Sequence, residues 1–112
     1  MITNLNNAQH YKWGDNCNGW HFLKSETLSV IRESMPSGAF EKLHLHRNAQ
    51  QVFYIISGVA NFYLDNVEFE LKADESIHVP KGIQHSIVNK GLESLEFLVI
   101  SEPKAQVDRQ YT

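Results

Sequence analysis

The sequence predicts an all-β single domain, a sandwich or barrel of about nine or more short antiparallel strands. Short apolar runs rich in Val, Ile, Phe and Tyr recur about every ten residues, and turn residues such as Pro36-Ser37-Gly38 and Asp65-Asn66 separate them. No segment carries the 3.6-residue apolar period of a helix. With 112 residues, the chain is long enough for one core and too short for two ordinary domains.

Each predicted strand is an apolar run that ends in polar or turn-forming residues. The segment 1–18 is polar with a few aromatic residues, and we expect it to form a loop or short strand that covers the outside of the domain. Residues 19–101 form the barrel, and residues 102–112 form a polar tail. The predicted strands are 20–23, 28–35, 40–46, 51–57, 59–64, 67–71, 76–79, 85–89 and 95–101.

The strand 51–57 also indicates how the protein assembles, because it is apolar on both faces. In a closed barrel only one face of a strand looks inward, so the other face must meet a covering segment or a second subunit. We therefore expect a homodimer in which Tyr54 and Ile56 contribute to the interface.

Composition excludes several functional classes. The chain is 42% hydrophobic and has a formal net charge of −3, which gives no reason to expect nucleic acid or an anionic membrane as a partner. No apolar run approaches the about 18 residues of a membrane helix, and the first residues show no signal peptide. A single cysteine, Cys17, cannot form an internal disulfide, which favours a cytoplasmic location.

A first motif centres on His44 and His46. Residues i and i+2 of a strand share a face about 6.5–7 Å apart, and imidazoles at that spacing can bind one metal ion. Alone, such a pair is often just two exposed residues. Here Gly38 lies six residues before His44, while Gln51 and Gly58 follow His46 at five and twelve residues.

A second motif begins at Asp74 and supplies a third histidine. Pro80 and Gly82 form a Pro-x-Gly turn that delivers His85 to the start of a new alternating run, with Asn89 four residues later.

Together the two motifs resemble those of the cupin superfamily, with Gln51 in place of the family glutamate and Asp74 in place of its glycine. The resemblance implies a jelly-roll barrel in which His44, His46, Gln51 and His85 bind a divalent transition metal, one of Fe, Mn, Ni or Zn. An amide brings no charge to the ion, so metal affinity should be lower than with glutamate. The alternative is a metal-free barrel whose polar groups hydrogen-bond water.

Four further residues are candidates for the substrate pocket. Phe53 and Ile55 are in phase with Gln51, and Ile87 is in phase with His85. Lys42 is in phase with the metal-binding histidines and could reach the pocket mouth, although such a lysine often lies at an exposed strand end. Cys17 is not a pocket candidate. A structural role is favoured for it over a nucleophilic one.

The preferred functional hypothesis is a metal-dependent cupin acting on a small polar molecule, through dioxygenase-like or isomerase-like chemistry. The first alternative is a non-catalytic small-molecule binding or sensor domain. The second is a metal-free sugar isomerase or epimerase with a histidine base, although the sequence displays no acid–base dyad for it. Fold alone does not choose among them.

Overall fold

The computed structural model describes residues 1–105 and 108–111. Eleven strands are present in these residues, and every assigned pairing is antiparallel. The strands are β1 (Gln9–Trp13), β2 (Cys17–Lys24), β3 (Ser29–Met35), β4 (His44–His46), β5 (Gln50–Ser57), β6 (Ala60–Leu64), β7 (Val67–Leu71), β8 (Ser76–Val79), β9 (His85–Val88), β10 (Leu95–Glu102) and β11 (Arg109–Tyr111).

The strands form two sheets that enclose one core. The six-stranded sheet has the order β1-β2-β3-β10-β5-β8, and the five-stranded sheet has the order β11-β4-β9-β6-β7. Phenylalanines from both sheets meet in the core, with the rings of Phe53 and Phe62 at 4.9 Å and those of Phe53 and Phe97 at 5.9 Å. This all-β jelly roll is the predicted fold class. Among the described residues, no helix is long and apolar enough to span a bilayer.

Strand β5 follows the predicted alternation. Gln51, Phe53 and Ile55 are buried, whereas the intervening residues 52, 54 and 56 keep part of their surface exposed. The buried series faces the core, where Phe53 and Ile55 belong to the hydrophobic cluster, and β5 lies between β10 and β8 in the sheet. The period-two pattern therefore placed one face of this strand inside the protein, as expected.

Both ends of the chain contribute an edge strand. The segment 1–18 includes β1, which pairs with β2 at the edge of the six-stranded sheet. The tail 102–112 includes β11, which pairs with β4, while its residues 106, 107 and 112 lie outside the described residues. Short edge strands like these depend on long-range pairing, which local sequence does not reveal.

The predicted strand 40–46 is interrupted. Only β4 keeps regular pairing, and Phe40 forms an isolated bridge to Val88. The backbone of residues 41–43 is irregular, so the side-chain alternation of β4 does not extend back through them. As a result Glu41 is buried while Lys42 is exposed.

Glycines of both motifs adopt a backbone conformation that other residues avoid. Gly38, Gly58 and Gly82 have φ angles of 84°, 87° and 80°, in the left-handed region where a Cβ atom is strained. Gly58 is also crowded, because an added Cβ would lie 2.8 Å from the carbonyl oxygen of Ser94. At Gly38 nothing lies within 4 Å of such an atom.

We expect Gly58→Ala to lower the free energy of unfolding by about 2–4 kcal/mol, since it adds overpacking to the left-handed penalty. Gly38→Ala is the matched control, with a similar φ and open space, and should cost only about 1–2 kcal/mol. Chemical denaturation of the two variants measures the difference. Equal losses would show that the contact with Ser94 adds nothing.

Candidate metal centre

Three histidines from two neighbouring strands meet in the interior. Strand β4 pairs with β9, and this pairing places His44 opposite His85. His46 lies on the same face as His44 because it is two residues further along the strand. The amide N–H of Gly82 donates to the carbonyl of His46 at 2.7 Å, fixing the turn before β9 against β4. One nitrogen of each imidazole lies within 4.8 Å of the others.

Backbone carbonyls orient two of the rings. Nδ1 of His44 lies 2.7 Å from the carbonyl oxygen of Lys42, and Nδ1 of His85 lies 3.0 Å from that of Ile83. A carbonyl can only accept a hydrogen bond, so Nδ1 carries the proton in both neutral rings. The lone pair is then on Nε2, which is the state in which a histidine binds a metal.

Several buried polar atoms here have no hydrogen-bond partner among the described residues. They include Nε2 of His46, Nε2 of His85, and Oε1 of Gln51 and of Glu41. The amide nitrogen of Gln51 donates to Oγ of Ser101 at 2.9 Å, which leaves its oxygen available. Buried polar atoms are nearly always paired, and these unpaired acceptors are of the types that bind transition metals. Three neutral imidazole nitrogens within 4.8 Å of one another are a donor set that fits a divalent transition-metal ion.

Burial keeps the imidazoles uncharged. It lowers the pKa of His44 to about 3. Burial, followed by the effect of His85, lowers the pKa of His46 to about 4. The pKa of His85 is also lowered, mainly by burial. Since a metal binds only the deprotonated ring, all three are in the binding form at neutral pH.

A cavity of about 280 Å³ is lined by the inner face of the six-stranded sheet together with Glu41 and Arg109. Glu41 connects it to the histidines, because Oε1 of Glu41 lies 3.8 Å from Nε2 of His44. One part of the lining is apolar, with Trp13, Ile31, Phe53 and Val99, and the other is polar, with Tyr11, Glu33, Glu41, Gln51 and Arg109. Such a mixed lining suits a small molecule with both polar groups and an apolar face.

Two carboxyl groups in this cavity titrate near neutral pH. Burial raises the pKa of Glu33 to about 7. Burial and the charge of Glu33 raise the pKa of Glu41 to about 8. Tyr11 donates its hydroxyl to Oε2 of Glu33 at 2.6 Å, and burial raises the pKa of Tyr11 well above its ordinary value. Carboxyl groups with such pKa values can exchange protons with a bound molecule at neutral pH.

A sequence model of the cupin domain matches residues 31–101. This chain belongs to the cupin family. It is 33% identical over 83 residues to an uncharacterized protein of Methanocaldococcus jannaschii, covering 74% of this chain and 66% of that protein. It is 32% identical over 85 residues to an oxalate-binding protein of Thermotoga maritima, covering 71% and 70%. Among solved structures, an RmlC-like cupin from Shewanella frigidimarina superposes with a TM-score of 0.86 at 20% identity, covering 95% and 93%.

The predicted pocket residues of this cupin occupy different places. Phe53 lines the cavity, and its ring centroid lies 5.9 Å from that of His85. Ile55 and Ile87 are fully buried in the hydrophobic core and do not line the cavity.

Lys42 lies outside this cavity, in the exposed position that was the alternative to the pocket mouth. Its side chain is exposed, and its ammonium group lies 6.0 Å from the centre of the Tyr111 ring. The side-chain alternation of β4 does not extend back to Lys42, because Lys42 precedes the strand and its backbone is irregular. Glu41 occupies the inward position instead.

Sequence reasoning missed most of the polar lining of this cupin cavity. Glu33 could have been found, because it is in phase with Ile31 and Met35, which are both buried. Tyr11 and Arg109 carry no comparable signal, since each reaches the cavity from an edge strand at one end of the chain. A polar residue at a strand position where the alternation predicts a buried apolar side chain, such as Glu33, is therefore the one local sequence signal for this site.

We expect the metal-free protein to be most stable near pH 6.5. As the pH falls from about 8, Glu41 and Glu33 take up protons in the folded state but not in the unfolded chain, where glutamate has a pKa of about 4.3, so the free energy of unfolding rises. Below about pH 6.5 histidines are protonated in the unfolded chain, while His44 and His46 stay neutral down to about pH 4 when folded and burial also lowers the pKa of His85. The unfolded chain then gains three histidine protons against the two carboxyl protons that Glu33 and Glu41 hold in the folded state. The free energy of unfolding then falls.

Thermal unfolding of chelator-treated protein at about pH 5, 6.5 and 8 tests this expectation. The highest midpoint should occur at the middle value. A midpoint that rises or falls steadily across the three conditions would contradict it.

Proposed function

We propose that this chain is a metal-dependent cupin that acts on a small polar molecule. The observation that carries the proposal is the cluster of His44, His46 and His85, whose nitrogens lie within 4.8 Å of one another. Gln51 is the proposed fourth ligand, and the cavity of about 280 Å³ is the proposed substrate site. A bound Fe, Mn, Ni or Zn ion would supply Lewis acidity or, if redox-active, electron transfer.

The cavity residues favour isomerase-like proton transfer over dioxygenase-like chemistry. Glu33 is a partly buried carboxyl group whose raised pKa of about 7 lets it hold or release a proton near neutral pH. Tyr11 keeps its proton and therefore acts as a hydrogen-bond donor, and Arg109 can orient an anionic group of the substrate. The apolar wall that includes Trp13 excludes water from one side of the bound molecule.

The second candidate is a binding protein without catalysis. It is supported by the similarity to a protein that is named for binding oxalate. Metal content of the purified protein, followed by oxygen uptake and product analysis with a library of small acids, diketones and sugars, separates the two. Turnover of any compound identifies an enzyme, whereas saturable binding without turnover identifies a binding protein.

The only cysteine of the chain, Cys17, is buried and free. A free thiol fits the reducing cytoplasm, which we propose as the compartment of this protein.

Protein purified without chelator should contain about one divalent ion per chain, because the donor set provides at least three ligands. His46→Ala should lose most of this ion and remain folded, since the hydrophobic core holds the fold together. Elemental analysis and circular dichroism measure the two properties. Less than about a tenth of an ion per chain, after loading with Fe, Mn, Ni and Zn, would exclude the metal site.

Gln51→Glu should tighten metal binding by about ten- to a hundredfold, because it adds a negative charge at the ion. Gln51→Leu should weaken binding without abolishing it, since three imidazoles remain. A competition titration with a coloured chelator measures all three proteins. Equal affinities would show that Gln51 is not a ligand.

We also propose a homodimer formed through the outward face of β5. Tyr54 and Ile56 keep part of their surface exposed there, and the hydroxyl of Tyr54 donates to Asp74 at 2.6 Å. An obligate interface of this kind buries about 2,000 Å² or more. Light scattering at micromolar concentration should therefore give twice the chain mass, and Ile56→Glu should give the single mass. A monomeric wild-type protein would rule the dimer out.

A further inference from the structure

Glu41 holds a buried carboxyl group against the histidine cluster. Its backbone N–H donates to the carbonyl of Ile87 at 2.9 Å, which ties this irregular segment to β9. Its side chain is only 8% exposed. One carboxyl oxygen, Oε1, lies 3.8 Å from Nε2 of His44 and has no hydrogen-bond partner among the described residues. The other, Oε2, lies 3.6 Å from a guanidinium nitrogen of Arg109.

The four proposed ligands leave a charge problem that this carboxyl group can solve. His44, His46, His85 and Gln51 are all neutral when they bind a metal. A divalent ion held by them alone would bring two positive charges into a buried site without an anion. Burying an uncompensated charge is costly, and a nearby opposite charge offsets the cost.

Other acidic groups near the cluster already have partners. The carboxylate of Glu33 accepts the hydroxyl of Tyr11 at 2.6 Å. The carboxylate of Asp108 accepts the backbone N–H groups of Asn48 and Ala49 at 2.8 and 2.9 Å. Glu41 differs from both, because one of its oxygens is buried, unpaired and next to a proposed ligand atom.

We propose that Glu41 is the anionic partner of the bound metal ion and supplies the charge that Gln51 lacks. The inference rests on the proposed metal site. The separation of 3.8 Å between Oε1 and Nε2 of His44 places the carboxylate beside a proposed ligand atom. Its oxygens do not lie within 4.8 Å of the ligand nitrogens of all three histidines, which form a cluster without it, so it acts as a neighbouring counter-charge and not as a further ligand. The negative charge thus comes from the segment before β4, ten residues before Gln51 along the chain.

The proposal is tested by measuring the affinity of the full chain for Ni²⁺ and Zn²⁺ in competition with a coloured chelator. Glu41→Gln keeps the shape of the side chain and removes its charge, and it should weaken binding by about ten- to a hundredfold. Arg109→Gln is the matched control, because it breaks the same ion pair but removes a positive charge. It should bind the metal as tightly as the wild type or more tightly. Glu33→Gln tests the other cavity carboxyl group and should change affinity by less than about threefold.

A rescue variant separates charge from shape. Adding Gln51→Glu to Glu41→Gln moves the carboxylate to the other position, and affinity should return to within about threefold of the wild type. An unrescued double variant would overturn the proposal, as would Glu41→Gln binding within about twofold of the wild type. Equal weakening by Glu41→Gln and Arg109→Gln would also overturn it, since the effect would then come from the broken ion pair. If the wild type itself binds neither metal, the proposed function fails, and this inference fails with it.

Discussion

The candidate site depends on a short contact between two strands. Strands β4 and β9 share a single assigned residue pair, His44 with His85. Backbone hydrogen bonds on either side hold this register, from Gly82 to the carbonyl of His46 at 2.7 Å and from Glu41 to the carbonyl of Ile87 at 2.9 Å. A shift by one residue would turn an imidazole away from the others, because alternate side chains of a strand face opposite sides.

The turn glycine and the asparagine of the second motif help to hold this register between β4 and β9. Gly82 has a φ of 80°, which lets its N–H face His46. Asn89 is buried and donates to the carbonyls of Met35 and Glu93 at 3.0 and 2.9 Å, which fixes the chain where it leaves β9. Gly82 and Asn89 are not proposed as ligands, and their role is to hold the strands that carry the histidines in register.

The sequence predicted the parts of the fold that follow from local period and turn chemistry. The alternation of β5 and the jelly-roll class agree with the structure, and the spacing of the motifs brought three histidines together. The cavity could not be predicted in the same way. Glu41 is inward only because the strand period breaks before β4, and Tyr11 and Arg109 arrive through pairings between distant parts of the chain. Whether Gln51 is a ligand stays a prediction.

Burial acts in opposite directions on the two kinds of titratable group in this site. It lowers the pKa of His44 and His46 and raises the pKa of Glu33 and Glu41, because a low-dielectric interior disfavours every charged form. Without a cation, both kinds of group are therefore driven towards neutrality. A divalent ion bound at the proposed site would reverse this preference for the carboxyl groups, since it would stabilise their charged form, and it would leave the imidazoles neutral as ligands. The proposed metal binding would therefore be coupled to the release of carboxyl protons, because burial raises the pKa of both carboxyl groups.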